Sequence, residues 1–425
     1  MSKITFDNVI GYEGIKSELM QIVDMVKNPE KYKALGACIP KGVLIYGDPG
    51  LGKTLMAEAL IHETGLNCSI VKRTSKGTNI ADEVIRAFHY AKINPPYIVF
   101  LDDLDKFANK DKRHPNAQEY ITVQACINEV KDKDVLVIAT VNEMELLPDS
   151  LTRSGRFDRK IRVMPPTINE AEEIVRHYIK GKHLAKDVDV SDIVKMVDTQ
   201  SCAILETTLN EAAIYAGWEG CDRIRMRHIV EAVLKLQYKA PEDYTVASDE
   251  ELQKYALHEA AHLVVAESLV PGCVGLVTVR SRGRGTEKGF THLCKELDRR
   301  PHHIMVSLAG KIAVEMRFGG WASGCQHDLS KATSTLVDGI VNSGTCGYGL
   351  LEPTNWSTSN HRDAMVEVAV AAELERYTML VRDILIRNAG ALGRVTEELK
   401  KKNYLLFSDI QRIKAECGIE TTHVV

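Results

Sequence analysis

Three uninterrupted apolar runs constrain the fold of this chain more than any other feature. Residues 43–46, 97–101 and 135–139 are entirely apolar, without the alternation that marks a strand with one wet face. Strands of this kind are buried on both faces, as in a parallel sheet covered by helices. The sequence therefore predicts an α/β core with a parallel sheet in the first part of the chain.

A glycine-rich loop follows the first run and precedes a helical pattern. It reads GDPGLGKT and fits the P-loop pattern, in which backbone N–H groups surround phosphate oxygens. Lys53 is predicted to reach the β- and γ-phosphates of ATP, and Thr54 is predicted to coordinate Mg²⁺. The predicted nucleotide-binding residues of this segment are Gly47, Asp48, Pro49, Gly50, Leu51, Gly52, Lys53, Thr54 and Leu55.

Two carboxylates end the second apolar run. Asp102 and Asp103 stand at the carboxyl edge of the predicted sheet, where ligands bind in folds of this class. Asp102 is predicted to hold Mg²⁺, and Asp103 to polarise the water that attacks the γ-phosphate. Asn142, which follows the third run, is placed to orient that water. The alternative is a pair of solvated acids, which the nearby P-loop disfavours.

Arginines crowd the loop after the third run. Residues 151–159 read LTRSGRFDR, and one chain cannot place all of these arginines on its own nucleotide. Arg153 and Arg156, supplied to the γ-phosphate of a neighbouring subunit, would act as arginine fingers, which implies a ring. Arginines that only solvate the surface are the alternative.

Composition and periodicity divide the chain into four segments. We predict an α/β nucleotide-binding part over residues 1–165, a small helical lid over 166–240, a linker over 241–254 and a mainly α-helical part over 255–425. Within the last segment, residues 275–291 read as a hairpin.

Charge and composition exclude several partners. The chain has 54 Lys and Arg against 58 Asp and Glu, a net charge of −4, so no surface suited to nucleic acid is expected. No apolar stretch reaches the roughly 20 residues that cross a bilayer. The 10 cysteines are scattered without a C-x-x-C pair and the first residues do not read as a leader, so a cytoplasmic location is predicted.

The motif HEAAH stands inside an apolar helical pattern. Because four residues make slightly more than one helical turn, His258 and His262 point the same way and can bind one Zn²⁺. Glu259 would lie beside the metal-bound water as its general base, which is the arrangement of a zincin peptidase.

A catalytic zinc site of this kind needs a third protein ligand. The best candidate is Asp328, just before a helical pattern, although Cys325 and His327 compete with it and Asp328 could instead cap the helix. His302 and His303 are expected to start a helix in solvent and not to bind metal.

These motifs, in this order, resemble those of the FtsH-type AAA+ zinc metalloproteases. The resemblance begins at residues 6–11, FDNVIG, whose Ile10 and Gly11 match the segment that flanks the adenine, and it continues to the final helices. It implies a hexameric ring that threads protein substrates into a chamber lined by zinc sites, with Zn²⁺, ATP and Mg²⁺ as cofactors. It also implies that Asp328 is the third ligand and that Gly289–Thr291 belong to an edge strand to which an extended peptide adds.

Three departures from the family pattern bear on function. The family usually carries transmembrane helices before the ATPase segment, at which this sequence begins, so either an anchor lies outside the sequence or the chain is a soluble relative. Asp103 replaces a Glu, and its shorter side chain predicts slow hydrolysis with ATP binding retained. The aromatic pore triplet is replaced by Lys76-Gly77-Thr78, which with Lys72 and Arg73 indicates either a basic pore entrance for acidic or loosely folded substrates or a solvated basic turn.

Two functions are compatible with these features. The first is an ATP-dependent zinc metalloendopeptidase that unfolds or threads protein substrates and hydrolyses their peptide bonds. The second is an AAA+ remodelling ATPase or nucleotide-gated ring with an accessory or ATP-independent peptidase domain. They differ in whether peptide cleavage depends on ATP turnover.

Overall fold

The structure is a computed structural model, and it forms two compact units. The first comprises residues 1–180 and 199–207, and the second comprises residues 181–198 and 208–425. The pore-loop residues Lys76, Gly77 and Thr78 lie outside the described residues. The described residues are 4–37, 39–73, 79–109, 119–153, 155–197, 201–240, 248–282, 287–319, 325–345 and 360–423.

A parallel sheet forms the centre of the first unit. Its strands are β1 Gly42–Tyr46, β2 Asn67–Lys72, β3 Tyr97–Asp102, β4 Val135–Val141 and β5 Arg159–Arg162. They lie in the order β2-β3-β4-β1-β5, and every neighbouring pair is parallel. All residues of β3 and β4 are buried. The predicted α/β core with a parallel sheet is therefore confirmed.

The two edge strands of this sheet, β2 and β5, are not among the three strands that the sequence predicts. Both carry polar side chains, and in β5 only Ile161 is buried. An edge strand meets solvent, so its sequence lacks the continuous apolar run that marks a central strand.

Helices pack against this sheet. α4 and α5 contribute Val84, Phe88, Val123 and Ile127 to the apolar core around β3 and β4. α3 begins immediately after the P-loop. The described helices of the first unit are α1 Glu13–Lys27, α2 Pro29–Lys33, α3 Lys53–Thr64, α4 Ile80–Ile93, α5 Glu119–Glu129 and α6 Ile168–Ile179.

The second unit contains most of the remaining helices and an antiparallel sheet. Helix α8 begins in the first unit and ends in the second. The helices are α7 Val190–Met196, α8 Cys202–Trp218, α9 Met226–Leu236, α10 Asp249–Leu269, α11 Arg300–Phe318, α12 Gln326–Ser343, α13 Asn360–Arg387, α14 Ala389–Lys402 and α15 Phe407–Cys417. The strands, in the order β7-β6-β8, are β6 Val274–Arg282, β7 Glu287–Leu293 and β8 Tyr404–Leu406. None of the helices in the described stretches has the length and apolar character that a membrane span requires.

α10 is the central helix of the second unit. It packs on α11, α14 and β6, and every residue from Glu259 to Leu269 is buried. Ser248 caps its N-terminus, because the Ser248 hydroxyl accepts the Glu251 N–H while the Glu251 carboxylate accepts the Ser248 N–H. Residues 249–254 are therefore helical, although the sequence assigns them to a linker. The other predicted segment boundaries stay predictions.

Glu267 holds the end of α10 in place. Its fully buried carboxylate accepts the N–H groups of Gly272 at 2.8 Å and Val274 at 3.0 Å and pairs with the Lys414 ammonium at 3.0 Å. A buried carboxylate is stable only where such partners replace its lost hydration. Glu267 thus ties α10 to the start of β6 and to α15.

Replacing Glu267 with Ala is expected to destabilise the second unit. The change removes the acceptor of two backbone N–H groups and of Lys414, which costs about 2–4 kcal/mol of unfolding free energy. Calorimetry of thermal unfolding measures the effect. Glu375, exposed on α13, is the matched control, and Glu375→Ala is expected to change stability by less than about 0.5 kcal/mol. Equal losses in the two variants would contradict the role of Glu267.

Candidate functional site

The P-loop surrounds the ammonium group of Lys53. The Lys53 Nζ donates to the carbonyl oxygens of Gly47 and Asp48, both at 2.7 Å. Burial lowers the pKa of Lys53, while nearby carboxylates, led by that of Asp103, oppose the shift. Because this group lies at the N-terminus of α3, both the side chain and the helix dipole favour an anionic phosphate here.

Asp102 connects the P-loop to the sheet. Its Oδ1 accepts the hydroxyls of Thr54 at 2.9 Å and Thr140 at 2.8 Å, and its Oδ2 pairs with Lys72 at 2.5 Å. Burial acts to raise the pKa of Asp102, but these contacts outweigh burial and hold the pKa below its ordinary value. An ionised carboxylate beside the Thr54 hydroxyl is an oxygen pair of the kind that Mg²⁺ takes as ligands at a P-loop.

Two residues of the predicted basic pore entrance contact groups at the edge of the sheet. Lys72 pairs with Asp102, and Arg73 Nη1 donates to the Lys106 carbonyl at 3.2 Å. Lys76, the third member of the predicted entrance, lies outside the described residues. The described part of the entrance therefore places its charge beside the nucleotide site.

Asp103 follows β3 in a left-handed conformation, with φ of 55°. Its N–H donates to Thr140 Oγ1 at 2.9 Å, and its carboxylate accepts from Asn142 Nδ2 at 3.1 Å and pairs with Lys106. A backbone of this kind persists only where its surroundings hold it. The structure thus brings Asp103 and Asn142 together at the carboxyl edge of the sheet, and it adds Lys106, which the sequence analysis did not single out.

The two predicted arginine fingers have different surroundings. Arg153 is exposed. Arg156 is half-buried, and its guanidinium donates to the Ser150 carbonyl and, through Nε, to Asn128 Oδ1 at 3.3 Å. Arg153 therefore has the exposure that contact with another subunit requires, and Arg156 is held in place by groups of its own subunit.

A cavity of about 290 Å³ lies beside the P-loop. Ile10, which the sequence analysis predicts to contact the nucleotide, lines this cavity together with residues that belong to no local sequence motif. The Tyr12 hydroxyl lies 3.5 Å from Cys202 Sγ, and the Tyr12 N–H donates to Glu170 Oε1 at 3.1 Å. Gly11 stands between Ile10 and Tyr12 in the chain and has a φ of 70°. A Cβ at Gly11 would stand 3.2 Å from the Glu170 side chain. The mostly apolar walls suit a nucleotide base, and they include Ile10, Tyr12, Leu51, Leu55, Ile174 and Cys202.

His258, His262 and Asp328 converge from α10 and α12. The Nε2 atoms of the two histidines are 3.0 Å apart, and Asp328 Oδ2 lies 3.1 Å from His258 Nε2 and 3.4 Å from His262 Nε2. Tetrahedral ligands with bonds of about 2.0–2.1 Å to Zn²⁺ stand about 3.3–3.4 Å from one another. The three donor atoms therefore fit one Zn²⁺ and leave its fourth position for water or substrate.

The charges of this cluster suit a cation. Burial acts to lower the pKa of His258 and of His262, but hydrogen bonds to Asp328 outweigh it and raise each pKa to about 9. Burial also opposes ionisation of Asp328, yet the two imidazoles hold its pKa below the ordinary range. A carboxylate that stabilises positive charge at one buried point provides the environment that a metal ion needs.

Helix α11 orients the two imidazoles. The His262 Nδ1–H donates to the Val306 carbonyl at 2.6 Å, which leaves the Nε2 lone pair for a metal. One turn later, Gly310 makes room for His258, because a Cβ at Gly310 would stand 2.4 Å from His258 Nδ1 and Cε1. The sequence analysis missed Val306 and Gly310, since they are distant along the chain and belong to no local motif.

Glu259 lies between β7 and the cluster of His258, His262 and Asp328. It is 3% exposed, and burial raises its pKa, which suits a general base. Thr291 Oγ1 donates to Glu259 Oε2 at 3.0 Å, and a Cβ at Gly289 would stand 2.7 Å from Glu259 Cγ. In the described part of the sheet β7 is an edge strand. Residues 289–291 therefore belong to an edge strand beside the cluster, as the resemblance implies.

Comparison with known proteins decides the family. Residues 43–165 match the model of the ATPase family associated with various cellular activities (AAA). The chain is 34% identical to the ATP-dependent zinc metalloprotease FtsH 2 of Symbiobacterium thermophilum, over 97% of this chain and 75% of that protein. The chain belongs to the FtsH family of ATP-dependent zinc metalloproteases.

Two further FtsH proteins have similar coverage. The ATP-dependent zinc metalloprotease FtsH of Thermus thermophilus is 30% identical over 97% of this chain and 70% of its own length. That of Ureaplasma parvum is 29% identical over 97% of this chain and 61% of its own length. The predicted family, fold class and enzyme class are confirmed, as are Zn²⁺, ATP and Mg²⁺ as the cofactors of such enzymes.

The two competitors for the third ligand position are placed differently from Asp328. Cys325 is the N-cap residue of α12, and its Sγ lies 3.9 Å from His258 Nδ1, the ring nitrogen that does not face Asp328. His327 is exposed, and Asp328 is the third residue of α12 and not its cap. His302 lies in the first turn of α11, but the expectation that it is solvated is wrong, because its side chain is buried.

A second group of metal-type side chains comprises Glu219, Cys221 and His228. His228 Nδ1 accepts the Arg225 N–H at 3.0 Å, so the ring proton is on Nε2, which faces Glu219 Oε2 at 3.1 Å. A metal would need the Nε2 lone pair, and Arg227 already pairs with Glu219. This group is therefore an ion-pair cluster.

Substituting Gly310 with Ala is expected to weaken Zn²⁺ binding. The added methyl group would displace the His258 ring, and loss of support for a ligand typically costs on the order of 10–100-fold in metal affinity. Titration with a competing chelator, followed by metal analysis, measures the change. Gly393→Ala on α14 is the control, because a Cβ there meets nothing within 4 Å. Equal affinity in both variants would contradict the role of Gly310.

Proposed function

We propose that this chain is an ATP-dependent zinc metalloendopeptidase that acts on proteins and peptides. The observation that carries the proposal is the convergence of the His258, His262 and Asp328 donor atoms within 3.4 Å, beside the buried Glu259. The same chain has a P-loop whose Thr54 hydroxyl bonds to Asp102. A peptidase centre and an ATPase centre in one chain support proteolysis driven by ATP.

In this proposal, Glu259 is the general base of peptide hydrolysis. Zn²⁺ held by His258, His262 and Asp328 would polarise the peptide carbonyl and lower the pKa of water. Glu259 accepts a proton from the attacking water and passes it to the leaving amine. The hydrogen bond from Thr291 orients the carboxylate of Glu259. An extended substrate pairs with β7 beside this carboxylate.

The ATP site uses groups from the loop, the sheet edge and a neighbouring subunit. Lys53 binds the β- and γ-phosphates, Thr54 and Asp102 hold Mg²⁺, and Asp103, with Asn142 beside it, aligns the attacking water. Arg153 and Arg156 act on the nucleotide of the next subunit. The remaining contacts to the nucleotide come from Ile10, Gly11, Gly47, Asp48, Pro49, Gly50, Leu51, Gly52 and Leu55.

The arginine fingers require an oligomer, and we propose a hexameric ring. The exposure of Arg153 supports contact with a second subunit. Protein substrates follow from the combination of an ATPase with a peptidase centre. A cytoplasmic location remains a prediction, in keeping with the eight free thiols in the described parts of the chain.

One observation favours a second candidate function. The short carboxylate of Asp103 is engaged by Lys106 and Asn142, which supports slow turnover of ATP. The chain would then be a remodelling ATPase or a nucleotide-gated ring whose peptidase domain is accessory or works without ATP.

Glu259→Gln is expected to abolish cleavage of casein while Zn²⁺ and ATP binding persist. The amide cannot take the proton of water, and loss of general-base catalysis costs about 10²–10⁴-fold in rate. Cleavage is assayed by gel, zinc by metal analysis and ATP binding by fluorescence. Glu375→Gln serves as the control. Retained cleavage in Glu259→Gln would refute the proposed peptidase mechanism.

Asp103→Glu is expected to accelerate ATP hydrolysis on the order of 10-fold, because the longer side chain brings the carboxylate closer to the attacking water. Asp103→Asn should slow hydrolysis and leave ATP binding intact. Phosphate release at saturating ATP and Mg²⁺ measures both effects. If Asp103→Glu were no faster than the parent chain, the shorter carboxylate would not limit turnover.

A further inference from the structure

The chain segment after α9 packs against the strand that contacts Glu259. The Tyr238 ring lies 4.7 Å from the ring of Phe290 and 5.5 Å from that of His292, measured between centroids. The Tyr238 hydroxyl donates to the Met196 carbonyl at the end of α7, at 2.8 Å. Lys239 turns the chain immediately afterwards through a left-handed conformation, with φ of 52°. Tyr238 is thus anchored at its hydroxyl and its ring, and its N–H lies 3.4 Å from the Val233 carbonyl oxygen.

β7 lies between Tyr238 and Glu259. Side chains alternate between the two faces of a strand, and here Phe290 and His292 meet Tyr238 while Gly289 and Thr291 meet Glu259. Tyr238 therefore packs against one face of β7, and the opposite face of the same segment contacts the Glu259 carboxylate.

Two further contacts hold helices α9 and α7 against the antiparallel sheet. Glu231 of α9 forms a bidentate ion pair with Arg280 of β6, with both N···O distances at 2.6 Å. Gly275 of β6 allows the backbone of α7 to approach closely, since a Cβ there would stand 1.7 Å from the Lys195 carbonyl oxygen. All of these residues belong to the second compact unit.

We propose that Tyr238 is a positioning residue of the peptidase centre, which presses β7 towards α10 so that Thr291 aims the carboxylate of Glu259. The inference rests on the proposed function of Glu259 as the general base. The 3.0 Å hydrogen bond from Thr291 tolerates little displacement of the strand. Since a displacement of about 1 Å can cost on the order of 10²-fold in rate, support from the far side of β7 affects catalysis.

The test is cleavage of a short unstructured peptide by the full chain without ATP. We expect Tyr238→Ala to lower kcat on the order of 10-fold, with KM less affected and zinc content unchanged. Tyr238→Phe keeps the ring on Phe290 and should restore kcat to within about twofold of the parent chain. Tyr215→Ala is the matched control, because the Tyr215 ring lies on α8 beside Lys235. Its kcat should equal that of the parent chain.

A double-mutant cycle with Thr291→Val distinguishes positioning from general weakening of the fold. If Tyr238 acts through Thr291, the double variant should be about as slow as the slower single variant. Multiplicative losses, an unchanged kcat in Tyr238→Ala, or equal losses in Tyr215→Ala would overturn the proposal. If Tyr238→Ala fails to fold, Tyr238→Leu takes its place in the cycle.

The same assay separates this inference from the proposed function. A parent chain with no zinc-dependent cleavage would refute the proposed function. A parent chain that cleaves the peptide, together with a Tyr238→Ala variant that cleaves it equally fast, would refute only the positioning role.

Discussion

The imidazoles of His258 and His262 and the carboxylate of Asp328 meet at one largely buried point of the second unit, and packing around them supports this contact. Burial alone penalises each charge, so the cluster requires compensation from its own members and from the backbone. Asp328 stabilises positive charge on both rings, and the Val306 carbonyl fixes one of them. Space for the cluster comes from missing side chains, at Gly310 against His258 and at Gly289 against Glu259. Charge and packing therefore specify the same geometry.

The nucleotide site follows a different physical logic. Its groups come from the loop after β1 and from the carboxyl ends of β3 and β4, which a parallel sheet places side by side. Asp102 is held by two hydroxyls and one ammonium, so its charge and position are both specified. Asp103, one residue later, has left the strand and lies partly exposed. The substitution that departs from the family pattern thus falls at the less constrained of the two carboxylates.

Helices α7 and α9, which follow the nucleotide-binding sheet along the chain, pack against the antiparallel sheet of the second unit. Residues 181–198 and the chain from 208 onwards form one compact unit. α9 and the sheet are joined by an ion pair and by aromatic packing. β7 is consequently supported on one face by Tyr238 and contacts Glu259 of α10 on the other.

Local sequence determined the central strands, the P-loop and the spacing of His258 and His262, because periodicity records which faces of an element are buried. It could not reveal the polar edge strands β2 and β5 or the three-residue strand β8. The family resemblance favoured Asp328 over Cys325 and His327, but only tertiary structure placed its carboxylate beside both histidines, joined Tyr12 to Cys202 in one cavity, and set Gly310 against His258. The physical reason is that contacts between distant segments depend on how whole elements pack, and no short window of sequence records that packing.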